Sequence, residues 1–251
     1  MSKIVSVHSF RGGTGKSNTT ANLAALLARD GYRVGVVDTD IASPGIHVLF
    51  NFDEAEMVHS LNDYLWGKCS IKEAAHDVSG RLGADIKGQI FLIPSSIKAG
   101  EIARIIREGY DVGLLNDGFR DVVKELKLDY LMIDTHPGLN EETLLSIAIS
   151  HTLIIIMRPD QQDYQGTAVT VDVARKLDVP NMLLIVNKVP SVLDFDDVRE
   201  RVSQTYNARV GAILPHSDEM MILASSGIFT LKYPDHPITK SLMAIVEELK
   251  K

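Results

Sequence analysis

Cysteine occurs once in the 251 residues, as Cys69. One thiol per chain excludes an internal disulfide framework, a CxxC redox pair and a four-cysteine metal or cluster site, and it points to a reducing compartment. No apolar run approaches the ~20 residues that span a bilayer. The opening Met1-Ser2-Lys3-Ile4-Val5-Ser6-Val7-His8 lacks the unbroken apolar stretch of a secretory leader. The expectation is a soluble, cytoplasmic protein. A surplus of positive charge is missing as well: Lys plus Arg number 26 against 33 Asp plus Glu, a formal net charge of −7. That excludes a strongly basic protein but leaves room for a local basic patch. The histidines show no HExxH or HxH metal spacing. There is no Pro/Ser-rich linker, repeat or low-complexity tract, so residues 1–251 read as one domain.

What is present is a rhythm of short β-branched runs alternating with longer amphipathic stretches, the pattern of βαβ units around a buried parallel sheet. The runs fall at residues 4–8, 34–37, 89–93, 130–133, 152–157, 182–186 and 210–214. Helical spacing is seen over 18–29, 166–177, 195–206 and 238–249, with further helices expected over 60–66, from Ile71 onward, and once or twice between Glu101 and Lys127. Residues 80–88 read as an exposed loop. The fold class that follows is α/β, a doubly wound, mostly parallel sheet flanked by helices.

After the first run comes Arg11-Gly12-Gly13-Thr14-Gly15-Lys16-Ser17, then Asn18 and a helix. Glycines let the backbone turn its N–H groups inward and the helix N-terminus adds positive potential, so strand, Gly-Lys-Ser and helix together make a phosphate-binding loop. Lys16 would reach the β and γ phosphates of a nucleotide and the Ser17 hydroxyl would ligate Mg²⁺. The usual GxxxxGK[ST] pattern has a glycine where this chain has Phe10, which makes this a deviant form. Two further apolar runs end in acids, Asp38-Thr39-Asp40 and Asp134-Thr135-His136-Pro137-Gly138. Ligands of open α/β sheets sit beyond the carboxyl ends of the strands, which brings these acids to the same crevice. Asp134 suits a Walker B role, holding Mg²⁺ through a water, and Asp40 could orient an attacking water.

These motifs resemble the ParA/MinD family of deviant Walker A ATPases, over nearly the whole chain. The resemblance implies a P-loop NTPase of the SIMIBI type that binds ATP and Mg²⁺ and forms a sandwich homodimer in the ATP state. It also implies that Asn187 and the loop at Pro215 border the adenine and that Asp40 supports hydrolysis. Family members carry a signature lysine just before the paired glycines, which crosses to the partner's phosphates; here that position is Arg11. A guanidinium keeps its charge and could act as an arginine finger in trans. ATP is expected over GTP, because Asn187-Lys188-Val189 is followed by Pro190 and not by the aspartate that reads guanine.

The implied role is a dimerisation switch that positions or partitions DNA, protein assemblies or polar machinery, with a stimulating protein partner. Nonspecific DNA is a possible surface through Arg201, Arg209, Lys232 and Lys240. A membrane fits less well, since the apolar stripe Ile238, Leu242, Ile245, Val246, Leu249 is already needed to cover the sheet. An ATP-dependent metabolic enzyme like dethiobiotin synthetase is the alternative. Cluster-carrying relatives need cysteines that one Cys69 cannot supply, and the C-terminal tyrosine cluster of the polysaccharide-export autokinases is absent. Other residues have plain structural readings. His136 is expected to face solvent, and the run Met220-Met221-Ile222-Leu223 to join the core. Asp194, Asp196 and Asp197 should start a helix, Trp66 should anchor a loop and Cys69 should be inert. For Arg158, a structural salt bridge and a nucleotide contact are both open.

Overall fold

The protein's structure, a computed structural model, describes residues 2–83 and 86–251. Among these residues eight strands form one sheet: β1 (Lys3–His8), β2 (Arg33–Asp38), β3 (His76–Asp77), β4 (Gln89–Ile93), β5 (Tyr130–Asp134), β6 (Thr152–Met157), β7 (Asn181–Val189) and β8 (Arg209–Pro215). Their order is β3-β4-β2-β5-β1-β6-β7-β8. Every neighbouring pair is parallel except β3, which runs antiparallel to β4. The helices are α1 (Lys16–Arg29), α2 (Ile46–Leu49), α3 (Leu61–Leu65), α4 (Ala99–Glu108), α5 (Val112–Glu125), α6 (Glu141–Ala148), α7 (Gln161–Lys176), α8 (Phe195–Tyr206), α9 (Asp218–Leu223), α10 (Phe229–Lys232) and α11 (Pro237–Leu249). No helix among the described residues is long and apolar enough to cross a membrane.

The central strands are apolar on both faces because helices cover both. Successive side chains point to opposite sides: Val5, Val7, Met132, Ile154 and Ile156 pack with α1 and α11. Leu131 and Ile133 pack with α3 and α5 on the other side, and Leu153, Ile155 and Met157 with α7 and α8. Helix α1 is buried from Thr19 to Ala28, and its alternating Ala and Leu let it lie against the sheet while α11 and α10 pack on it. The strand order turns at β1, with β5 and β2 to one side and β6 to the other. The loop leaving β1 therefore opens at the switch point, where a parallel sheet leaves a crevice.

The seven expected strands are all present, and β3 is an addition. It is two residues long at a sheet edge, without an apolar pattern. Its neighbourhood also corrects the helix expected from Ile71. Ser70 and Glu73 exchange capping bonds, Ser70 N donating to the Glu73 carboxylate at 2.7 Å and Glu73 N to the Ser70 hydroxyl at 3.3 Å. This is a helix-start signal, yet only a turn follows, because His76 and Asp77 are taken by pairing with β4. The exposed loop expected over 80–88 includes residues 84 and 85, which lie outside the described residues. Asp194 caps α8, accepting from the N–H groups of Asp196 and Asp197. Trp66 follows α3 with Arg104 and Lys68 over its ring, 4.4 and 4.7 Å from the centroid.

Candidate functional site

The loop from β1 to α1 is shaped at Gly15, which caps the helix in the left-handed region at φ 105° and supplies no side-chain cap. A Cβ there would stand 2.5 Å from Asn187 Nδ2, so both the backbone angle and the close approach demand glycine. Asn187 Nδ2 donates to the Thr14 carbonyl at 2.7 Å and Lys188 Nζ to the Gly13 carbonyl at 2.8 Å. The loop carbonyls are thus held from the end of β7, while the first amides of α1 have no intrahelical partner. Thr14 Oγ1 is buried without a hydrogen-bond partner among the described residues. Lys16 is 7% exposed, and its ammonium forms no salt bridge among the described residues. A buried cation beside free helix amides is a site for a polyanion.

Acids converge on this cation from two strand ends. Asp134, at the end of β5, is buried and accepts from Thr20 Oγ1 at 3.4 Å, with the Ser17 side chain acting on the same carboxylate. Burial raises its pKa to about 6, against the pull of the Ser17 bond and of Lys16. Asp38 lies opposite it in register and is likewise raised, first by burial and then by the Asp134 charge. Asp40 is raised by burial, with His136 and Lys16 opposing.

His136, expected to face solvent, is only partly exposed, its side chain at 30%. Its Nε2 stands 3.6 Å from Asp40 Oδ1 while Nδ1 lies 2.6 Å from the Pro137 carbonyl, so the short loop after β5 folds the ring onto Asp40. Beneath the loop, the buried His8 bonds Thr135 Oγ1 through Nδ1 at 2.7 Å. Burial and the nearby Lys16 lower its pKa to about 3.

A cavity of about 760 Å³ opens along this edge, lined by Gly12, Gly13, Gly15, Lys16, Ser17 and Asn18. Asp40, Asn187 and Pro215 line it as well, so nine of the twelve site residues named from the sequence meet in one place, with Thr14, Asp134 and Arg11 outside the lining. Residues missed include Thr19, Asn22, Ser43, His136, Lys188 and the α9–α11 wall. Met220 and Met221 of that wall line the cavity, and Met221 and Ile222 are exposed. The expected core placement of 220–223 holds for Leu223 and in part for Met220, which packs half-buried against the core, because the short α9 presents one face inward. The Asn-Lys pair could have signalled Lys188.

Arg11 is absent from the lining and pairs with Asp160 and Asp163 at 3.5 Å each. Arg158 pairs with the same two acids, which favours its structural reading. Phe10, in place of the usual glycine, lays its ring in the notch at Gly166 of α7, where a Cβ would fall 2.2 Å from the ring. Cys69 is half-buried, and burial with Asp63 and Glu73 nearby pushes its thiol up to about 11, the state of an unreactive thiol. The four basic residues suggested for DNA do not form a patch. Arg201 rides on α8 and Lys240 on α11, on opposite faces of the sheet, and Arg209 pairs with Glu248.

The ParA family model, described as a NUBPL iron-transfer P-loop NTPase, matches residues 1–250. An uncharacterized ATP-binding protein of Methanocaldococcus jannaschii is 26% identical over 250 residues, 99% of this chain and 88% of the relative. An iron-sulfur cluster carrier protein of Pyrococcus horikoshii is 25% identical over 264 residues, 98% of this chain and 84% of the carrier. The solved structure of the septum site-determining protein MinD of Pyrococcus horikoshii, complexed with Mg-ADP, matches with a TM-score of 0.82 at 20% identity, covering 100% of this chain and 97% of that one.

Proposed function

This chain belongs to the ParA family of P-loop NTPases, and we propose that it is a Mg²⁺-dependent ATPase whose nucleotide state controls the pairing of two copies. The observation that carries the reading is Lys16, a buried ammonium without a carboxylate partner among the described residues, on the wall of the cavity. Residues 12–18 would cradle the phosphates through backbone amides, and Lys16 would bind the β and γ groups. Mg²⁺, held by the Ser17 hydroxyl and through water by Asp134, would neutralise charge on the phosphates. Asp40 would orient the attacking water, with His136 against its carboxylate. Pro215, Asn187 and the α9 wall would enclose the base. Arg11 would cross to the partner's phosphates once two copies meet.

Positioning or partitioning of a cargo, with a protein partner that stimulates turnover, is the role proposed for this switch. An iron-sulfur cargo is suggested by the name of the carrier relative. Against it stands a single cysteine per chain, whose thiol is pushed up to about 11. Two copies would bring two thiols where a cluster asks for four.

The test is nucleotide titration with turnover. Wild type should bind ATP more tightly than GTP and hydrolyse it with Mg²⁺. Lys16→Ala should lose binding, and Asp40→Ala should bind without turning over, since Asp40 matters only once water is in line. ATP binding that survives Lys16→Ala, or wild-type turnover in Asp40→Ala, would overturn the assignment. Turnover that depends on a small metabolite would favour the dethiobiotin synthetase-like alternative.

A further inference from the structure

Arg11 reaches away from the cavity in the free chain. Its Nη1 stands 3.5 Å from a carboxylate oxygen of both Asp160 and Asp163 at the start of α7. Asp163 is 3% exposed, so its charge needs a resident cation. Arg158 supplies one: its N–H and Nε donate to Asp163 Oδ2 at 2.8 and 3.2 Å, and its Nη2 lies 3.2 Å from Asp160. Charge-assisted bonds run about 2.7–2.9 Å, which makes the 3.5 Å contacts of the 39%-exposed Arg11 the loosest in the cluster. Arg11 can leave without stranding a buried charge, because Arg158 remains on both acids. The preceding Phe10 is seated at Gly166 on the same helix, so the start of the phosphate loop stays fixed while the arginine swings.

We propose that Asp160 and Asp163 are positioning residues that hold Arg11 in reserve against α7, and that pairing of two copies with ATP releases it. The proposal rests on the reading of Arg11 as a group that acts across the pair. In this arrangement the acids compete with the partner's phosphates for one guanidinium, and the strength of the cis contact sets how readily copies pair.

Asp160→Asn separates this competition from fold damage. Asp160 caps α7 by accepting from Asp163 N at 3.0 Å, and asparagine caps as well as aspartate while removing the charge. Surface ion pairs of this kind convert to about a two- to fivefold change in an equilibrium. The full-length variant should therefore pair about two- to fivefold more tightly in ATP by sedimentation. Its turnover at limiting protein should rise, while ATP affinity of the unpaired chain, measured at high dilution, stays as in wild type. In an Arg11→Ala background the same substitution should do nothing. Wild-type or weaker pairing in Asp160→Asn at an unchanged thermal midpoint would overturn the proposal, as would an equal gain in the Arg11→Ala background. Arg11→Ala alone reports on the underlying reading: pairing and turnover like wild type would remove that reading and the proposal with it.

Discussion

The ends of β2 and β5 lie side by side in register and finish in the same residue type, yet the two aspartates are held by different donors. Asp38 accepts from main-chain N–H groups, of Asp40 at 3.0 Å and Gly45 at 3.1 Å, and so fixes the loop between β2 and α2. Asp134 accepts from a side-chain hydroxyl, that of Thr20, with Ser17 and the Lys16 ammonium also acting on its charge. Backbone donors cannot be withdrawn without remaking the loop, whereas a hydroxyl can rotate toward a metal ion or a water. Two buried carboxylates, both raised by burial, are thus committed differently, Asp38 to structure and Asp134 to a partner that can be exchanged.

The largest effect follows from that contrast. Asp134→Asn should lower ATP turnover by about two orders of magnitude or more, while the nucleotide-free protein keeps or gains stability because a buried charge is gone. Asp38→Asn should instead lose about 1–3 kcal/mol of stability, since an amide cannot accept from the loop N–H groups on both sides. Denaturant melts and turnover on the two variants check this. A stable, inactive Asp38→Asn beside an unfolded Asp134→Asn would invert the assignment.

Titration sharpens the same contrast. The Asp134 pKa is raised to about 6 in the folded chain, so between about pH 4 and pH 6 the folded state binds a proton that the unfolded state has released. That group's contribution to stability therefore falls as pH rises through this window. His8 acts with the opposite sign, because its pKa is lowered to about 3 and the unfolded state holds the extra proton below about 6.5. Wild type carries both slopes; Asp134→Asn lacks the Asp134 part of the first and keeps that of His8 and those of the raised Asp38 and Asp40. The stability advantage of Asp134→Asn over nucleotide-free wild type should be small at pH 4 and reach its full size above about pH 6. Melts across that range would refute the assignment if the difference were flat or shrank.

How much of this was legible in the sequence depends on the range of the interaction. The parallel strands announce themselves because both faces are buried and β-branched residues fill them, as in Leu153 to Met157. The phosphate loop is legible because its glycines encode backbone geometry. Chemistry made by distant partners is not. Arg11 and Asp163 are 152 positions apart, and no local pattern says that one will rest on the other. His136 turns onto Asp40 because two loops from neighbouring strands meet, and Met221 stays exposed because α9 is too short to bury more than one face. The Ser70–Glu73 capping pair misleads for a related reason: a local helix signal yields to pairing at the sheet edge, since tertiary pairing outweighs a local cap.

The smallest predicted effect places Asn187 in the contrast. By resemblance it borders the base, and it lines the cavity, yet both ends of its amide are committed to main chain. Nδ2 donates to the Thr14 carbonyl at 2.7 Å and Oδ1 accepts from Lys188 N at 2.9 Å. In this respect it is like Asp38, a side chain used to hold backbone. Removing it in Asn187→Ala should loosen the loop proposed to hold the phosphates, which ATP and GTP share. Losing one amide–carbonyl bond costs about 1 kcal/mol, or about fivefold in affinity. Both nucleotides should weaken by that factor, leaving their ratio as in wild type, because base discrimination then rests on the wall around Pro215 and Met220. Titrating both nucleotides against wild type and variant measures the ratio directly. A change in preference larger than the shared loss would mean that the amide reads the base, and Asn187 would move from the structural side of the contrast to the side of Asp134.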